Sequence, residues 1–160
     1  MDQGPEKGKK ISIKRHFIFM EVPLEIVWPQ VIRWEESEWW PKLCLFKFVR
    51  KTPGELQVGT KFIQKMVIPL MPHSEVEIVK LIPEREIELA FNKGMFKGFE
   101  IIRVEDRANG TRVEYELQYE IPSVPNKILW KLFCQKLFDQ GITIILSALK
   151  DYVVKSYRAQ

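Results

Sequence analysis

The spacing of hydrophobic residues changes period twice along the chain. Ile11 to Met20 alternates, with His16, Ile18 and Met20 on one face and Phe17 and Phe19 on the other, which predicts a first strand closed by Pro23. Leu24 to Arg33 takes helical spacing through Ile26, Val27, Val31 and Trp34, with Pro23 well placed for a first helical turn and Pro29 able to shorten it. Glu35 to Pro41 predicts a second short helical piece, whose Trp39-Trp40 pair needs burial against a sheet or in a cavity mouth.

From Cys44 to Ile121 the period is two. Phe46 and Phe48 mark a strand over Cys44 to Lys51, and Phe62, Gln64, Met66 and Ile68 alternate with Lys61, Ile63, Lys65 and Val67 until Pro69 and Pro72. Glu75 to Leu81 and Glu86 to Phe91 flank Pro83, with Ile87, Leu89 and Phe91 on one side. Phe96 to Val104 follows, and Arg112 to Ile121 alternates most regularly. There Val113, Tyr115, Leu117, Tyr119 and Ile121 face in, while Glu114, Glu116, Gln118 and Glu120 face out. That alternation suits antiparallel strands with one wet face.

The last quarter, Asn126 to Ser156, returns to helical spacing. Trp130, Cys134, Phe138, Gly141, Ile145, Ala148 and Tyr152 share a face, with Leu137 and Leu149 beside them. Lys136, Asp139, Gln140, Thr143, Ser147 and Lys150 occupy the opposite arc, so this is an amphipathic helix on a large apolar surface, and its charges argue against a membrane span. Cys134, Gly141 and Ala148 recur at seven-residue intervals. Gly inside a helix costs roughly 1 kcal/mol against Ala, so Gly141 requires either close approach of a strand, the favoured reading, or room for a ligand. A sheet with one apolar face and a helix with an unclaimed apolar face predict an α+β fold in which the sheet grips the helix.

Composition narrows this picture. The 160 residues suit one domain, residues 11–160, with a polar, disordered tail at 1–10 that has no apolar core like a signal peptide's, so a cytoplasmic protein is expected. The net charge of +4 sits at the ends: residues 1–16 carry five basic and two acidic side chains, residues 150–160 three and one, and residues 17–149 seventeen and eighteen. A balanced body argues against nucleic-acid binding. Cys44 and Cys134 match no metal-ligand spacing and read as small buried hydrophobes; oligomeric state is not legible.

Four stretches resemble the START-like, or SRPBCC, helix-grip superfamily and, within it, the polyketide cyclase/dehydrase-like lipid-binding branch. Val22-Pro23-Leu24-Glu25-Ile26-Val27-Trp28 resembles that branch's strand-to-helix junction, and Trp39-Trp40-Pro41 the end of its second helix. Val58-Gly59-Thr60-Lys61-Phe62 resembles the start of one of its strands, and Asn109-Gly110-Thr111-Arg112-Val113 its last hairpin. The similarity runs from about Phe17 to Tyr157. It implies a helix-grip fold of about seven strands, with two short helices after the first, and a cavity between helix and sheet. It leaves function open, because the superfamily includes lipid carriers, ring cyclases, hormone receptors and chaperone activators.

Candidate chemistry is sparse. The two histidines, His16 and His73, form no metal-ligand motif, and there is no G-x-S-x-G, phosphate-binding loop or dinucleotide fingerprint, so no metal and no cofactor are expected. Gln64, between Phe62 and Met66, needs a neighbour or a ligand as partner if it is buried. Glu100 faces in if Ile102 and Val104 do, and out if Phe99 and Ile101 do. The outward, solvated position is favoured; inward, it would be a carboxyl with a raised pKa able to act as acid or base. The leading expectation is a small hydrophobic ligand, a lipid or polyketide-like molecule, held by Phe62, Gln64, Met66, Ile78, Leu89, Phe91, Tyr115, Tyr119, Phe138, Gly141 and Ile145. The alternatives are a cyclase or dehydratase with Glu100 as a weak catalytic candidate, and a protein-interaction module resembling the chaperone activators.

Overall fold

A computed structural model describes residues 10–67 and 71–160. All but Lys10 of the expected tail, together with Ile68 and Pro69 at the end of the third strand, lie outside the described residues. Among the described residues, seven strands form a single antiparallel sheet: β1 (Ser12–Met20), β2 (Phe46–Arg50), β3 (Lys61–Met66), β4 (Ser74–Ile82), β5 (Glu86–Lys93), β6 (Lys97–Arg107) and β7 (Gly110–Glu120). Their spatial order is β1-β7-β6-β5-β4-β3-β2, a meander whose last strand pairs with the first. Helix α1 (Leu24–Val31) follows β1, and α2 (Val124–Leu129) leads through a π turn at Trp130–Cys134 into α3 (Gln135–Arg158). This is the helix-grip architecture that the periodicity and the resemblance predict.

The second short helical piece is smaller than expected. Only Trp34–Glu36 forms a turn, of 3-10 type, and Ser37 leaves it in extended conformation while its hydroxyl donates to the Trp34 carbonyl at 2.9 Å. A side chain that bonds the backbone in this way competes with helix propagation. The turn is held to the sheet by Arg50 on β2, whose Nε donates to Glu35 Oε1 at 2.7 Å.

The phase of β6 is set near Gly98. Its φ is +131°, and a Cβ there would lie 2.0 Å from the Gln118 carbonyl oxygen, so only glycine permits this approach of β6 to β7. Gly98 pairs with Tyr119, Glu100 with Leu117 and Ile102 with Tyr115. Glu100, Ile102 and Val104 therefore face the helix. The favoured outward position of Glu100 is corrected: its exposure is 2%. Periodicity could not decide between the faces because Ile101 is also buried, on the other side of the sheet.

Glu116 faces out as expected but is not solvated. It lies on the outer face of β7, but Arg15 and Arg103 close over it, the latter at 3.2 Å, and Gln118 donates to it at 2.6 Å, leaving it 2% exposed. Burial pushes its carboxyl up, but the hydrogen bonds from Arg15, Gln118 and Arg103 outweigh burial and hold it below the ordinary range.

The buried stripe of the long helix begins as expected at Trp130, Cys134, Phe138 and Gly141, then continues through Ile142, Leu146, Leu149 and Val153. Ile145, Ala148 and Tyr152, expected on the same face, are only partly buried. Helix α3 packs against both β1 and α1. By length and composition the helix Val124–Arg158 could cross a bilayer, but in this fold its inward face is part of the core.

Candidate functional site

Between α3 and the concave face of the sheet lies a cavity of about 80 Å³. One water needs about 10–15 Å³ by the same measure, so there is room for several waters or a small apolar fragment. β2 contributes Phe46 and Phe48, β3 Gln64, β5 Leu89, β6 Glu100 and Ile102, and β7 Val113 and Tyr115. The helical side supplies Ile142, Ile145, Leu146 and Leu149, and the segment after β1 supplies Val31, Trp34, Trp39 and Trp40. A second, smaller space of about 20 Å³ shares Phe46 and Gln64 with the first and extends to Met66, Met71 and Phe138.

The aromatic wall is a continuous network. Trp34 meets Phe62 at 5.4 Å between ring centroids and Phe48 at 6.0 Å, and Trp40 stands edge-on to Phe48 at 5.7 Å. Trp39 Nε1 donates to the Gln30 carbonyl at 3.3 Å, and Trp40 Nε1 donates to the Phe46 carbonyl at 3.1 Å. Trp34 Nε1 is buried and has no acceptor among the described residues.

One polar cluster interrupts the apolar lining. Tyr115 Oη donates to Glu100 Oε1 at 2.7 Å, and Gln64 Nε2 donates to the same oxygen at 2.8 Å. Strands β3 and β6 are separated by β4 and β5, so the Gln64–Glu100 bond spans three interstrand steps, about 14 Å in a flat sheet, and depends on the curl of the concave face. Burial pushes the Glu100 carboxyl above its ordinary value, and the bonds from Tyr115 and Gln64 only partly oppose this. The Tyr115 hydroxyl is pushed well above its ordinary value by burial and then by the adjacent Glu100. The cluster therefore favours a neutral carboxyl beside a neutral phenol.

Of the residues expected to touch a ligand, Gln64, Leu89, Tyr115 and Ile145 line the main cavity, and Met66 and Phe138 the smaller one. Phe62 and Ile78 are fully buried packing residues, and Phe91 packs against Phe96 with tilted rings 5.4 Å apart. Tyr119 accepts a hydrogen bond from Trp130 Nε1 at 3.1 Å. Gly141 lies against Phe46, where a Cβ would come within 2.4 Å of the ring. None of these five lines either space. The lining also includes Trp34, Phe46, Phe48 and Ile102, which sequence reasoning did not select. Only the Trp39-Trp40 pair gave a usable signal.

No protein-family profile and no curated protein sequence matches the chain. Solved structures of 12–13% sequence identity share the helix-grip fold. Among them, a norcoclaurine synthase point mutant from Thalictrum flavum superposes with a TM-score of 0.70 at 13% identity, over 95% of this chain and 99% of that one. The Zhui aromatase/cyclase from Streptomyces sp. R1128 gives 0.70 at 13% identity over 94% and 98%. Ara h 8.0201 gives 0.65 at 12% identity over 91% and 99%.

Proposed function

We propose that the protein binds a small hydrophobic molecule between α3 and the sheet, for storage, transport or sensing. The observation that carries this reading is an apolar, aromatic-walled cavity with one buried polar cluster, Glu100, Tyr115 and Gln64, a lining of the kind that ligand pockets use for affinity and orientation. An apolar fluorescent dye should bind with one-to-one stoichiometry and be displaced by competing hydrophobic compounds. A well-folded sample that shows no saturable binding would contradict the reading.

The second reading, a cyclase or dehydratase acting on a polyketide-like substrate, is favoured by one specific feature. A buried carboxyl with a raised pKa, hydrogen-bonded to a phenol, is equipped to protonate a carbonyl or a departing hydroxyl. Two of the structural neighbours carry the names of a synthase and an aromatase/cyclase. In that case Glu100→Gln abolishes turnover while ligand affinity is retained.

A further inference from the structure

The cavity contains polar groups with unused hydrogen-bonding capacity and no positive charge. Among its lining residues there is no Lys, Arg or His, and Glu100 is the sole acidic side chain. Both donors that reach Glu100 share Oε1, and Oε2 accepts no hydrogen bond among the described residues. Across the cavity lining, the indole N–H groups of Trp39 and Trp40 are used by backbone carbonyls, whereas that of Trp34, a residue only 5% exposed, has no acceptor. A buried donor without a partner is an unfavourable arrangement that a ligand oxygen would relieve.

We propose that the cavity selects an uncharged hydrophobic molecule bearing a hydroxyl or carbonyl oxygen, which accepts the Trp34 Nε1–H, and that it discriminates against carboxylates. This rests on the ligand-binding reading and specifies the chemistry of its ligand. A carboxylate brought into the cavity loses its hydration, finds no cation, and meets Glu100, which cannot itself compensate a negative charge. An alcohol or ketone carries no such penalty. Its oxygen accepts from the Trp34 indole N–H, and a protonated Glu100, whose Oε1 already accepts from Tyr115 and Gln64, has its own O–H at Oε2 to offer the same kind of oxygen. An ammonium group would likewise lose its hydration there, and burial works against the ionised Glu100 that would have to pair with it.

The test measures displacement of the bound dye at pH 7.5 by 1-octanol, octanoate, octylamine and octane, with the Trp34 indole cross-peak followed by NMR in the unaltered protein. Octanol should bind at least about 10-fold more tightly than octanoate and shift the Trp34 indole proton, and Trp34→Phe should weaken octanol by about 2–10-fold, the worth of one hydrogen bond, with octane unchanged. The octane measurement keeps the variant informative, because general damage to the cavity weakens both compounds together; in that event the indole shift decides, and its absence overturns the proposal. Octanoate or octylamine binding as tightly as octanol overturns it, as does octanol that binds without moving the Trp34 signal. If the dye and all four compounds fail to bind, it is the ligand-binding reading itself that falls.

Discussion

Replacing Gly141 by Leu sets two effects against each other. The first added carbon would stand 2.4 Å from Phe46 Cε2 and 3.1 Å from Cδ2, whereas non-bonded carbons prefer about 3.5–4.0 Å. The ring must therefore withdraw by more than about 1 Å, and it is hemmed in: Phe46 is 3% exposed and stands edge-on to Phe138 at 5.3 Å. Overpacking of this kind costs about 1–3 kcal/mol, while leaving glycine for a good helix former returns up to about 1 kcal/mol. So close an approach to a hemmed-in ring puts the cost at the upper end of that range, and the net expectation is a loss of about 2 kcal/mol, or a melting temperature lower by about 4–8 °C for a domain of this size. Because Phe46 also lines the cavity, the displaced ring should narrow it and weaken dye binding. Urea midpoint and dye affinity measured on one sample test both effects. A Gly141→Leu variant as stable as the parent, or more so, would refute the argument that Gly141 is present for close packing.

Two further substitutions probe the buried charges. Glu100→Gln keeps an acceptor for Tyr115 and Gln64 but cannot ionise. Since the folded pKa of Glu100 is raised, the stabilisation from its proton is present below the ordinary carboxylate value of about 4.3 and is lost as pH rises through the folded value, so the parent should lose stability relative to the variant as pH rises above that ordinary value. Parallel urea-midpoint profiles would place Glu100 in water. Arg103→Met removes a cation shared by Glu86, Glu114 and Glu116 and should cost about 1–3 kcal/mol, less than the ~3–5 kcal/mol of a lone buried pair because Arg15 still bonds Glu116. The folded pKa values of Glu86 and Glu116 are lowered, so their contribution is present above the ordinary carboxylate range and fades as pH falls through the folded values. The gap between parent and variant should therefore shrink on acidification, and a gap that stays constant would contradict this.

Where burial coincided with period, the sequence was a reliable guide. β7 shows this best: Val113, Tyr115, Leu117 and Tyr119, with Ile121 just beyond the strand, are all buried as expected, since an error of one residue would have turned the entire apolar set outward. β6 was not legible because it is buried on both faces near Glu100, and its phase depends on Gly98, whose meaning is visible only against the Gln118 carbonyl. The cavity was half legible. Alternation placed Gln64, Leu89 and Tyr115 on its wall, but sequence cannot tell a side chain that lines a space from one that fills it, as Phe62 and Ile78 do. Trp34 showed only helical spacing; its unpartnered N–H exists only once Phe48 and Phe62 have closed around the ring.

The most direct test of the account locates a bound molecule. Intermolecular NOEs should be collected on protein saturated with whichever octyl compound displaces the dye most strongly. They should run to Leu89, Ile102 and Ile145 and to the rings of Phe48 and Tyr115, all on the cavity wall. NOEs confined to exposed apolar side chains such as Ile128, Leu132 and Phe133 on the outer side of the helix would show surface adsorption and contradict the central claim.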